Sequence, residues 1–254
     1  MTTLNGKKGL IIGIANEHSI AWGCAKAMHA DGAELAVTYL NEKAEPHVRP
    51  LAGELGCRII MPCDVEVAGS LEKVYERIAG DWNRLDFVLH SIAYAPKADL
   101  QSRVVDCSTE GFALAMRVSV HSFIRMARLA EPLMVNGGCL LAMTYYGSER
   151  VVESYNLMGP VKAALEATAR YLAAELGPKR IRVNTISPGP LKTRASSGID
   201  HFDKLMEKAA AKAPEHRLIS IDDVGALASF LVSDGAQAIT GDNIHIDSGY
   251  HVVD

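Results

Sequence analysis

Seven short runs rich in Val, Ile and Leu recur along this chain, and longer amphipathic segments separate most of them. The runs are 9–14, 34–39, 57–62, 85–91, 138–144, 181–187 and 243–248. Their brevity and near-continuous apolar character predict parallel strands buried on both faces, since a half-exposed strand would alternate. Helix-length segments lie at 19–31, 42–55, 68–80, 108–135, 155–177 and 221–233. Parallel neighbours need a crossover between them. The alternation therefore predicts an α/β fold: one doubly wound, Rossmann-like domain over 1–254, with a seven-stranded parallel sheet and helices on both faces. No Pro/Gly/Ser-rich linker or repeat divides the chain. The one long irregular section, 187–220, begins SPGP. Its place near strand ends predicts a substrate lid over about 187–215.

Composition narrows the function classes. With 254 residues, 48% of them hydrophobic, the chain can bury a core without disulfides or metals. A net charge of −4 argues against nucleic acid and anionic membranes as partners. The five cysteines are scattered without a CxxC pair, which indicates neither a zinc site nor a disulfide framework and fits a reducing compartment. The apolar run near the N-terminus is broken by Asn16, Glu17 and His18 and is too short to span a bilayer. A cytoplasmic enzyme is the expectation.

The turn after the first run, GIANEHSIAWG from Gly13 to Gly23, is not GxGxxG, yet its chemistry suits a pyrophosphate. Gly13 allows close backbone approach, and Ser19 can cap the following helix and donate near its N-terminus. An ordinary Ser-capped turn would read the same way. At the end of the second run Leu40 is neither the acid that favours NAD nor the base that favours NADP. Asp64, after the third run, could accept from an adenine amino group or simply cap a helix starting near Ala68. Small residues in HSIAYAP, 90–96, leave room for ribose and nicotinamide.

The stretch TYYGSERVVESYNLMGPVK, 144–162, holds Tyr145, Tyr146 and Tyr155 and ends on Lys162. On a helix over 155–177, seven steps of about 100° put Tyr155 and Lys162 on one face about 10 Å apart, a gap that a ribose beside a nicotinamide could bridge. Lys162 would fix that ribose and its charge would favour tyrosinate character on Tyr155. Tyr145 should face the same crevice, and Tyr146 should point away. A Tyr and a Lys two turns apart are ordinarily packing plus a solvated charge; their position opposite the nucleotide turn is what singles them out. His90 and His121 read as hydrogen-bonded interior histidines, and Met158 as a packing residue that, one turn after Tyr155, could line the pocket.

Together GIANEHSIAWG, CDV (63–65), HSIAYAP, TYYG (144–147), SYNLMGPVKAALE (154–166), IRVNTISPGPLKTRASSGI (181–199) and ITGDNIHIDSGY (239–250) resemble the bacterial enoyl-acyl-carrier-protein reductases of the NADH-preferring type. That family is a divergent branch of the short-chain dehydrogenase/reductase superfamily, and the likeness runs over essentially the whole chain. The Tyr-x6-Lys spacing separates it from the common branch, which has Tyr-x3-Lys. The resemblance implies Gly13, Ser19 and Ile20 at the pyrophosphate, Asp64 and Val65 at the adenine, and Ile92 at the adenosine side. It implies Leu191, Lys192, Thr193, Arg194 and Ala195 along the nicotinamide half. Ala95 and Met158 would line the substrate site with Tyr145 and Tyr155, and Tyr155 and Lys162 would be the catalytic pair. It further implies NADH in preference to NADPH, an enoyl thioester on acyl carrier protein as substrate, and a homotetramer.

Three residues depart from the pattern. Leu40 stands where the family has a Gln against the adenosine end. Arg117 lies in a helix expected to face the interior. Pro160 is compatible with a helix only in its first turn, which moves the regular start to about Gly159 and leaves Tyr155 on the approach. The rival readings are a carbonyl reductase using the same Tyr and Lys, and a dinucleotide-binding paralogue without turnover. A basic patch for the acidic carrier could come from Lys192, Arg194 and Lys204 or Lys208.

Overall fold

The computed structural model describes residues 3–193 and 202–253. Its strands are β1 (Lys8–Ile12), β2 (Glu34–Tyr39), β3 (Ile59–Pro62), β4 (Phe87–His90), β5 (Gly138–Met143), β6 (Ile181–Pro188) and β7 (Asn243–Ile246). They pair throughout in parallel, in the order β3-β2-β1-β4-β5-β6-β7. Each predicted strand is present, with its ends displaced by at most two residues. Alternate side chains serve opposite faces, which is why the runs are apolar throughout. Leu10 and Ile12 of β1 enter one core, with Leu140 and Ala142 of β5. Ile11, Cys139 and Leu141 enter the other.

The first core is covered by α3 (Ser70–Trp82), α5 (Thr109–Met116), α6 (Ser122–Ala130) and α7 (Met158–Leu176). The second is covered by α1 (Ile20–Ala30), α2 (Glu45–Glu54) and α9 (Ile221–Val232). α1 and α9 cross with almost no space between backbones. A Cβ on Gly23 would fall 2.2 Å from the Ile221 carbonyl oxygen, and one on Gly225 would fall 2.4 Å from that of Gly23. Lys26 to Asp222 (2.7 Å) and Ser229 Oγ to Asp31 (2.5 Å) flank the crossing.

Three segments differ from expectation. The single helix predicted over 108–135 is α5 and α6 joined by one π-helical turn, Arg117–His121. The wider turn carries Ser119 and Ser122 towards the end of β4. Ser119 Oγ accepts from the Tyr94 amide at 3.1 Å, and Ser122 Oγ lies 2.8 Å from His90 Nε2. Arg117 is turned out to the surface, where it pairs with Glu66 at 3.0 Å, so the expected interior-facing side is wrong there. His121 is exposed as well, whereas His90 is interior as expected. Finally, the section read as irregular contains α8 (Phe202–Lys212). A run of Ala, Leu, Lys, Glu and Met has high helix propensity, a signal masked by the Gly- and Ser-rich stretch before it. A short α4 (Lys97–Gln101) follows HSIAYAP.

Candidate active site

The strand order reverses between β1 and β4, so the crevice for a ligand opens beyond their C-terminal ends. Gly13 leaves β1 with φ of 124°, and a Cβ there would meet the Ser91 carbonyl oxygen at 2.1 Å. The glycine is thus required by the neighbouring β4 exit as well as by any ligand. Ser19 occupies the N-cap position of α1, but its hydroxyl does not cap the helix. It accepts instead from the amides of Ala15 (3.0 Å) and Asn16 (3.1 Å), holding the turn in shape. With no side chain bonded across it, the N-terminus of α1 keeps donors for an anion. Ile20, the first residue of α1, is partly buried against the second core.

Leu40 projects into solvent just past β2. Asp64 is not a helix cap: α3 starts later, behind Gly69, and Asp64 Oδ1 accepts from the Glu66 amide at 3.0 Å. Val65 is buried, and its carbonyl accepts from Arg125 of α6 at 2.7 Å while the same guanidinium holds Glu72 at 2.8 Å. Arg125 is thus a support of the loop after β3 that sequence reading missed; nothing local in the sequence marks it. Ile92 and Ala95 are partly buried against the first core. Leu191 packs on the second core, and Lys192 pairs with Asp203 at 3.3 Å. Thr193 is the last residue before the gap in description; Arg194 and Ala195 lie outside the described residues.

α7 begins at Met158, with Pro160 in its first turn, so Tyr155 is not helical. It sits in a turn whose neighbours Ser154 (φ 63°) and Asn156 (φ 40°) both adopt left-handed backbone. Such residues each cost roughly 1–3 kcal/mol and persist only where the surroundings hold them. Here Asn156 Nδ2 donates to the Leu100 carbonyl at 2.9 Å, tying the turn to α4. The two-turn helical geometry expected for Tyr155 and Lys162 is therefore replaced by a pre-helical turn, as Pro160 foreshadows. The Tyr155 ring lies over Gly147, where a Cβ would come within 2.3 Å of it.

Tyr145 and Tyr155 meet edge to face, with centroids 4.9 Å apart. Tyr146 points the other way, towards His245 and Tyr250. Tyr155, Met158 and Lys162 are buried, and Lys162 Nζ donates to the Met143 carbonyl at 2.7 Å. Burial pushes the ammonium of Lys162 down to about 8, with the charge of Glu166 opposing the fall. Burial raises both phenols, and Tyr145 and Glu166 raise Tyr155 further. The expected tyrosinate character is thus reversed: burial holds Tyr155 as a neutral phenol. Among the described residues the Tyr145 hydroxyl is enclosed and lacks a hydrogen-bond partner. An orphaned phenol is costly unless a ligand oxygen takes its proton.

His90 is no proton carrier at neutral pH, because burial and the nearby Lys162 push it down to about 3. Ser122 Oγ sits 2.6 Å from the Val118 carbonyl, which can only accept. The hydroxyl proton goes there, and His90 Nε2–H donates to Ser122.

The enoyl-(acyl carrier protein) reductase family model matches residues 13–251. The chain belongs to that family. Enoyl-(acyl-carrier-protein) reductase (NADH) 1 of Rhizobium meliloti is 46% identical over 98% of this chain and 92% of its own length. The NADH-named reductase of Aquifex aeolicus is 45% identical over 100% of this chain and 94% of its own. The crystal structure of the Anaplasma phagocytophilum reductase in complex with NAD superposes with a TM-score of 0.95 at 48% identity, covering 100% of this chain and 97% of that one. The reductase fold therefore extends over both cores and the crevice between them.

Proposed function

We propose that this enoyl reductase uses NADH to reduce the 2,3 double bond of trans-2-enoyl thioesters carried on acyl carrier protein, the reductive step of a fatty-acid elongation cycle. The observation that carries the reading is the edge-to-face Tyr145–Tyr155 pair with a buried, unpartnered Tyr145 hydroxyl, on the loop that follows the Met143 carbonyl held by Lys162. When bound, the dinucleotide supplies a hydride to the β-carbon. Negative charge then develops on the thioester oxygen, Tyr155 donates a hydrogen bond to it as the enolate forms, and a proton delivered to the α-carbon collapses the enolate to the saturated thioester. Tyr145 donates to the same oxygen or orients the thioester. Lys162 holds the nicotinamide ribose with donors not used on Met143. Gly13, Ser19 and Ile20 cradle the pyrophosphate, Asp64, Val65 and Ile92 border the adenosine, and Ala95 and Met158 line the acyl pocket. Leu191, Lys192 and Thr193 flank the nicotinamide half, and Leu40 leaves the adenosine ribose without a charged contact, which is compatible with NADH.

The carrier docks, in this reading, on α8. Lys204, Lys208 and Lys212 recur every four residues and line a cavity of about 810 Å³ with Arg150. Lys192 is less suited, being paired with Asp203. The lid expected over about 187–215 takes in α8, and its residues 194–201 lie outside the described residues. Assembly into four copies is supported by exposed apolar side chains on α6 and α7, Ile124 and Tyr171. No helix among the described residues is long and apolar enough to cross a membrane, and the cytoplasm is the proposed location.

The deciding experiment is NADH oxidation with an enoyl thioester, repeated with NADPH and with a ketone. Turnover of the enoyl thioester alone supports the reading. Turnover of the ketone alone makes the protein a carbonyl reductase. Tight NADH binding without turnover of either makes it a sensor.

A further inference from the structure

Glu166 is buried on α7, one turn beyond Lys162. No step above uses it. Its Oε1 accepts from Thr144 Oγ1 and from Ser148 Oγ, each at 2.5 Å. Those two residues bracket the loop that carries Tyr145. Thr144 immediately precedes the tyrosine, and its amide is anchored to the Ile186 carbonyl at 2.8 Å. Ser148 closes the 3-10 turn Tyr146–Ser148, with its amide on the Tyr145 carbonyl at 3.0 Å. One carboxylate oxygen therefore pins both ends of the Tyr145 loop to the helix that carries Lys162. Short hydroxyl–carboxylate bonds are among the stronger hydrogen bonds in proteins.

The carboxylate also acts through charge. Lys162 lies four residues before it, a spacing that puts two side chains on the same helix face. The groups placed against Lys162 from other elements are the neutral His90 of β4 and the Met143 carbonyl of β5. Neither of them favours the ammonium as a full negative charge does.

We propose that Glu166 is a positioning residue with two tasks: it fixes the Tyr145 loop through Thr144 and Ser148, and its charge keeps Lys162 an ammonium. This rests on the reductase reading for the roles of Tyr145 and Lys162. Two variants separate the tasks. Glu166→Gln keeps an acceptor oxygen and removes the charge. Thr144→Val with Ser148→Ala removes the donors and keeps the charge; if that pair melts early, Ser148→Ala alone, at a partly buried position, takes its place.

The titration of Lys162 is followed by NMR on lysine labelled at the side-chain nitrogen, assigned with Lys162→Met, beside pH profiles of kcat/KM for the enoyl thioester. In Glu166→Gln the Lys162 titration and the basic limb of the profile both move down by about one pH unit. In the hydroxyl variant the titration stays and KM for the thioester rises about tenfold, while KM for NADH does not. An unmoved Lys162 titration in Glu166→Gln overturns the proposal, as does an unchanged thioester KM in the hydroxyl variant. A wild-type protein without turnover would sink the reductase reading instead, and the lysine titration would still decide the charge task.

Discussion

The ammonium of Lys162 is bonded to the carbonyl of Met143, the last residue of β5, at 2.7 Å. A charge is thereby held inside the first core at the point where strand and helix meet. Its low titration point has a sign that can be worked out. Lys162 loses its proton near 8 in the folded chain and near 10.5 when unfolded. Between those values the unfolded chain binds more protons, so the lysine's burial penalty, on the order of 3 kcal/mol, is fully present below about pH 8 and relieved as pH rises towards 10.5. Denaturant midpoints should show it: the stability of Lys162→Met relative to wild type falls as pH goes from 7 to 10. A constant difference across that range would contradict the lowered titration point of Lys162.

Activity should follow the same group. If the ammonium holds the ribose, kcat/KM declines as pH passes about 8, and Lys162→Met weakens NADH binding measured by fluorescence quenching. An undiminished NADH affinity would take the ribose contact away from Lys162.

Tyr155→Phe removes one donor to the developing oxyanion. Turnover should fall by about a hundredfold with NADH affinity retained, the loss typical of one such donor. Tyr145→Phe removes a hydroxyl that is unpartnered without ligand, so it should cost activity and leave the melting temperature level or slightly raised. Steady-state kinetics beside thermal melting distinguishes the two. Equal kinetic losses would mean that the phenols share the oxygen.

Gly147→Ala places a methyl where the Tyr155 ring lies. Tyr155 must tilt or the turn around it must open. The expected result is a kcat loss of about tenfold or more with little change in NADH affinity, since reactive geometry tolerates little displacement. A variant of wild-type kcat would show that the ring accommodates the methyl elsewhere.

Lys204→Glu with Lys208→Glu should raise KM for a carrier-linked enoyl thioester and leave the N-acetylcysteamine thioester unaffected. The difference should shrink with added salt, because exposed charges are screened. Equal effects on both thioesters would place these lysines in the acyl pocket and remove them from docking.

The sheet was legible because a strand buried on both faces needs apolar residues at every position, as Leu10, Ile11 and Ile12 show. The long-range consequences were not. Arg117 reads as interior-facing on a regular helix, but a π-helical turn there accompanies its place at the surface, and the bond from the Tyr94 amide to Ser119 in that turn joins residues that no local pattern links. Pro160 correctly placed the start of α7, yet nothing in SYN announced left-handed backbone on either side of Tyr155. Ser19 was read as a cap because Ser commonly is one; its hydroxyl instead serves the amides of Ala15 and Asn16. Glu166 looks in sequence like one more helical acid.

The Gly23–Gly225 crossing sets an order of assembly. α1, which presents its N-terminus to the crevice, lies among the first thirty residues, whereas α9 begins at Ile221. On the ribosome the nucleotide turn emerges early and then waits for nearly two hundred residues before the helix that seats it arrives. Dinucleotide capture is therefore a late event in the maturation of this chain, and nascent chains stalled before α9 should not retain the cofactor.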